Sequence, residues 1–74
     1  MSNIVVIESV ESNIVTIRGD DKEYKIRIRR GLDQFEEWRK ARTALFLTYY
    51  EDGTLVFSPS EFTVIPSQGT LQLI

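Results

Sequence analysis

With 74 residues, 42% of them apolar and 27% charged, the chain has the composition of one globular domain and not of a disordered segment. It has neither cysteine nor histidine, which excludes disulfide staples, thiolate metal sites and the commonest general base. A net charge of −2 argues against generic attraction to nucleic acid.

A chain of this length buries only about 60% of the surface its unfolded form exposes, so self-association is an expected route to extra stability. The start, Met1-Ser2-Asn3 and then Ile4 to Ile7 closed by Glu8, lacks the basic residues and longer apolar run of a signal peptide. No apolar run approaches the roughly 18 residues of a membrane span. The expectation is a soluble cytoplasmic protein without membrane contact, complete as given and forming a single domain over residues 1–74, with 66–74 as an edge strand or loose tail.

Ile4 to Ile7 is a β-branched run, apolar on both parities, and predicts a central strand covered on both faces. Asn13 to Arg18 predicts a second strand, joined to the first by a short hairpin through Glu11-Ser12-Asn13. Gly19-Asp20-Asp21-Lys22 is a turn signal, and the alternating Glu23 to Arg29 is the third strand. A turn at Asp20-Asp21 sets Arg18 opposite Glu23, Ile17 opposite Tyr24, Thr16 opposite Lys25 and Val15 opposite Ile26. Apolar then meets apolar on one face and an opposite-charge pair forms on the other.

In the next segment, Asp33 and Glu36 have the spacing of a capping box. Leu32, Phe35, Trp38, Ala41 and Leu45 recur at three and four, with acids early and cations late, as the helix dipole favours. One amphipathic helix over Asp33 to Thr43 is expected, with Glu36 pairing Lys40. Ala44 to Tyr50 predicts a strand, and Asp52-Gly53 predicts a tight hairpin that pairs Tyr50 with Leu55, Tyr49 with Val56 and Thr48 with Phe57. Both faces of that hairpin are apolar, so one needs cover from the helix, the tail or a partner. Ser58-Pro59-Ser60-Glu61 has the signature of a helical turn, leading into a short strand at Thr63 to Ile65. Thr70 to Ile74 ends the chain as an edge strand or tail.

The order βββ-α-ββ(β) implies a β-rich α+β domain of OB or SH3-like size. Either a small antiparallel sheet with the helix across one face or a partly open barrel satisfies it. A five-stranded OB-fold places its helix at the same point in the order, an analogy that assigns no residue a role.

All nine lysines and arginines fall between Arg18 and Arg42 with six of the eleven acids, a net charge of +3, while the remainder is −5. Lys25, Arg27 and Arg29 share a parity, about 6.6–6.8 Å apart, and Arg30 adds a fourth cation. Such a ridge suits phosphates or an acidic protein; equally, it is the solvated face of a strand that resists aggregation. Trp38 is either core or, beside Arg39 and Arg42, an interface anchor. Tyr49 and Tyr50 must face opposite ways, so one of them could stack on a base. Asp20-Asp21 and Glu51-Asp52 are solvated turn acids without the further ligands calcium needs. No glycine-rich phosphate loop, nucleophile–base pair or zinc spacing is present, so no enzyme, cofactor or small-molecule substrate is expected. The expected function is a non-catalytic interaction module that binds a protein or its own copy through a sheet face. Nucleic-acid binding on the cationic ridge with aromatic support is the alternative.

Overall fold

The alternation that marks the strands in the sequence becomes one antiparallel sheet around one helix. In the computed structural model, which describes residues 2–73, the elements are β1 (Ser2–Glu11), β2 (Ile14–Arg18), β3 (Glu23–Ile28), α1 (Leu32–Ala41), β4 (Leu45–Tyr49), β5 (Leu55–Ser58), β6 (Phe62–Val64) and β7 (Gly69–Leu73). The strands lie in the order β6-β5-β4-β1-β2-β3-β7, and each neighbouring pair is antiparallel. This is the expected α+β, β-rich architecture, as an open sheet of seven strands and not a closed barrel.

β1 extends well beyond the Ile4–Ile7 run and serves two partners. Ser2 to Val5 pair with β4, and Val6 to Glu11 pair with β2. The register shifts between Ile7 and Ser9, which leaves Glu8 without an opposite residue on β2. An extra residue of this kind bends a strand and increases its twist. The expected cover on both faces is not found. Val5 and Ile7 are buried, whereas Ile4 is 57% exposed, so the β-branched run reflects β propensity and not double burial.

The β2–β3 hairpin has the expected register from Arg18↔Glu23 to Val15↔Ile26, continuing to Ile14↔Arg27. Its turn closes with the Gly19 N–H donating to the Lys22 carbonyl at 2.8 Å. Val15, Ile17, Ile26 and Ile28 are all buried, so a slip of one residue would move the whole set into water. The charge pairing differs from expectation: Arg18 reaches Glu8 on the bulge, at 2.6 Å, and not its cross-strand neighbour Glu23.

The helix starts at Leu32 and ends at Ala41, and the Asp33–Glu36 capping box does not form. Gly31 is the N-cap, in a left-handed conformation (φ 82°), and its carbonyl accepts from the N–H groups of Gln34 and Phe35. Asp33 lies inside the first turn, where it favours the dipole without capping. Glu36 pairs with Arg39, whose Nε donates at 2.8 Å, instead of with Lys40. Arg42 terminates the helix in a left-handed conformation (φ 53°), so Ala41 falls on the last exposed turn and not on the buried stripe.

The β4–β5 hairpin is offset by one residue from expectation, with Tyr49↔Leu55, Thr48↔Val56 and Leu47↔Phe57. Gly53 N–H donates to the Tyr50 carbonyl, Gly53 has φ 92°, and Tyr50 N–H donates to Thr54. This is a type I turn over Glu51-Asp52 followed by a left-handed glycine, the three-residue hairpin loop, and not the two-residue turn. Asp52 stabilises it by accepting from the Thr54 N–H at 2.9 Å, which holds its carboxyl below the usual range. Ser58-Pro59-Ser60-Glu61 does not form a helical turn. Ser58 ends β5, the Ser58–Pro59 bond is cis, and Pro59 to Glu61 turn the chain into β6. β7 pairs along β3, from Tyr24↔Leu73 to Ile28↔Gly69, which makes it an edge strand; Ile74 lies outside the described residues.

The helix packs against β1 and drives two rings into the sheet. Phe35 is fully buried and makes edge-on contacts with Trp38 and Phe57 at 5.3 Å and with Phe62 at 5.4 Å. Each such pair contributes about 0.5–1.5 kcal/mol beyond the area it buries. The Phe62 ring also explains the glycine at the cap, because a Cβ on Gly31 would lie 2.5 Å from Phe62 Cζ. Gly31→Ala combines that overlap with left-handed strain and should lower stability by more than about 2 kcal/mol in urea unfolding. Gly19→Ala, where the nearest atom is an ordinary 3.6 Å away, should change it by about 0.5 kcal/mol or less. Equal losses at the two sites would contradict the role of the Phe62 contact.

Candidate functional site

Cross-strand partners share a face, so the register divides the outer surface of the sheet residue by residue. On β4, β5, β6 and the first half of β1, the outward positions are Ile4, Phe46, Thr48, Val56, Ser58 and Thr63. None is charged. Ile4 lies directly opposite Phe46, and they are 57% and 50% exposed. On β2, β3 and the second half of β1 the outward positions include Glu11, Arg18, Glu23, Lys25 and Arg27, with Glu8 at the bulge. The convex surface therefore has an apolar, neutral half and a charged half.

The cationic ridge lies in the charged half. Lys25, Arg27, Arg29 and Arg30 are all exposed, and among the described residues none has an acid within ion-pair distance. Arg27 and Arg29 line a hollow of about 340 Å³ with Ser67, Gln68 and Thr70 from the turn before β7 and its first residues. Lys25 borders a different groove, of about 590 Å³, together with Glu8, Glu11, Glu23 and Thr16. The ridge is thus split: Lys25 sits among carboxylates, whereas the two arginines face hydroxyls, an amide and backbone.

The aromatic candidates lie elsewhere. Trp38 is only 6% exposed and packs among Phe35, Phe57 and Phe62, so its ring belongs to the core. Tyr49 and Tyr50 are each 51% exposed, at the end of β4 and in the loop that follows. β4 and β3 have β1 and β2 between them, three strand spacings or roughly 14 Å, so neither tyrosine supports the ridge. Ile4 and Phe46 were not among the residues singled out from the sequence. Their signal is the missing charge on one parity of three strands, which is visible only once the β4–β5 register is known.

The acidic corner is an electrostatic unit rather than a metal site. Among the described residues, no group of three acids is placed to hold a metal ion. Glu8 pairs with Arg18 and lines the same groove as Glu23. The neighbouring Glu8 carboxyl, by favouring a shared proton and by its charge, together with desolvation raises the Glu23 carboxyl above its ordinary value, against the opposing pull of Arg18 and Lys25. Glu36 is shifted down by its hydrogen bond and ion pair with Arg39.

The two shifts have opposite signs in stability. The raised Glu23 stabilises the fold most fully below the unfolded carboxylate value, and that contribution is lost as pH rises through its own higher value. The lowered Glu36 and Asp52 contribute above the unfolded value and lose their effect as pH falls through theirs. Side-chain NMR titration should show Glu23 ionising at higher pH than Glu36, and Glu8→Gln should bring Glu23 down; the reverse order would contradict the Glu8–Glu23 contact. Comparison of the chain with protein families, curated proteins and solved structures gave no match.

Proposed function

We propose that this chain is a non-catalytic interaction module that pairs with a second copy of itself through the neutral half of its sheet. The observation that carries this reading is the exposed Ile4–Phe46 pair in a field of six outward residues without a charge. Exposed apolar residues scattered singly need no explanation, but a contiguous patch free of charge has the composition of an interface core.

A second copy suits the patch electrostatically. An isologous contact sets one patch against its own copy, with like residues meeting near the two-fold axis, which is costly where they are charged and harmless where they are Ile, Phe, Val, Ser and Thr. The charged half of the surface, with Arg18, Glu23, Lys25 and Arg27, would by contrast bring like charges together in many arrangements. Size argues the same way, since a chain without disulfides and with a core this small gains from covering more apolar area. The absence of histidine and cysteine from the sequence supports a role without imidazole or thiol chemistry.

Sedimentation velocity over a concentration series tests the reading. The chain should pass from monomer to dimer, and Phe46→Glu should hold it monomeric while leaving its circular dichroism unchanged, because the side chain is outward. Burying one unpaired carboxylate should weaken dimerisation by roughly a hundredfold or more. A chain that stays monomeric at the highest soluble concentration, or a Phe46→Glu variant that dimerises as well as the parent, overturns it.

A further inference from the structure

The two edges of the sheet differ in how they are protected. β6 has three residues and lies between Glu61, at φ 54°, and a segment containing Pro66, features that limit pairing. β7 runs Gly-Thr-Leu-Gln-Leu, with neither proline nor charge. The direction of its backbone groups follows from two hydrogen bonds. Ile28 N–H donates to Asn13 on the β2 side, and Arg29 N–H donates to Gln68 on the β7 side. Successive residues of a strand point their N–H and C=O groups to alternate neighbours. Arg29, Arg27 and Lys25 therefore bond Gln68, Thr70 and Gln72, while Gly69, Leu71 and Leu73 turn their backbone groups outward. The Gly69 N–H is taken by the Ile65 carbonyl. Among the described residues nothing takes the outward groups of Leu71.

Beside this open edge, on the outer face, lie exposed Arg27 and Arg29, one strand further in, with the small Thr70 between them and the edge. A strand added at β7 would run roughly 9.5 Å from β3, two strand spacings, and its outward side chains would meet arginines extended across Thr70. Backbone pairing at the edge supplies affinity, and alternate side chains supply selectivity, as in strand addition to other sheets. We propose that the β7 edge docks an extended acidic peptide strand, its backbone paired at Leu71 and its alternate carboxylates on Arg27 and Arg29. β7 carries no acid of its own, so a second copy pairing there would leave the guanidinium groups facing threonine. A nucleic-acid strand would meet the arginines but not the Leu71 backbone, and the exposed ring of the outer face, Phe46, stands on β4, three strands from β3.

The test titrates the full chain with a short synthetic peptide alternating glutamate and threonine, read by amide NMR shifts and by calorimetry. The expected result is saturable binding, with the largest backbone shifts from Gly69 to Leu73. Alternating lysine and threonine, or N-methylation of the peptide amides that would face β7, should weaken binding by tenfold or more. Arg27→Gln with Arg29→Gln should weaken the acidic peptide by roughly tenfold, with unchanged circular dichroism. No binding, equal binding of the N-methylated peptide, or shifts centred away from β7 overturns the proposal. Tighter binding of single-stranded oligothymidylate than of the acidic peptide overturns it in favour of phosphate recognition. Because Phe46 lies on the opposite arm, the Phe46→Glu variant should bind the acidic peptide as the parent does, and failure there would also overturn the proposal.

Discussion

The fold depends on one strand being asked to belong to two halves of a sheet. β1 pairs with β4 through its first residues and with β2 through its last, and the shift at Glu8 is where its allegiance changes. The two halves, β6-β5-β4 and β2-β3-β7, share no other ladder. The bend and twist at that point make a concave surface, and a single short helix fills it. Phe35 is the centre of the filling: it touches Trp38 on its own helix, Phe57 on β5 and Phe62 on β6, so one ring ties helix to sheet. The glycine before the helix, left-handed and pressed against Phe62, is the local cost of bringing the chain from β3 straight into that position.

Where local signals agreed, the sequence was legible. In the β2–β3 hairpin, alternation, turn residues and the location of charges all select one register, and the structure has it. In β4–β5 they do not agree. Asp-Gly suits both a two-residue and a three-residue loop, and Leu45 to Tyr50 is apolar on both parities, so hydrophobicity could not arbitrate. The hydrogen bond that Asp52 accepts from the Thr54 N–H belongs to the longer loop and has no distinct sequence mark. The helix start differs from its sequence signal for another reason. Asp33 and Glu36 have the right spacing for a cap, but Gly31 occupies that role because of Phe62, a contact thirty-one positions along the chain that no local window contains.

The candidate surfaces divide in the same way. The exposure of Lys25, Arg27, Arg29 and Arg30 follows from strand parity and turn position, and was readable. Their unequal surroundings were not, because the carboxylates beside Lys25 and the polar turn beside Arg27 and Arg29 arrive from β1 and from the approach to β7. The neutral patch of Ile4 and Phe46 needed the correct register of two further strands. Charge on the solvated face of β2 and β3 discourages unwanted association there, and its absence on the other half is what gives the surface two distinct characters.

The strand shared by both halves also fixes how the protein comes apart. Edge strands β6 and β7 can fray singly, each losing one neighbour, but β1 cannot leave without dismantling the ladders on both sides of it. Without β1 the ladders β6-β5-β4 and β2-β3-β7 are left with no strand between them, and the helix loses the strand it packs against. Cooperativity in so small a domain therefore comes from connectivity as well as from core size, because the strand that joins the two ladders is also the one the helix packs against.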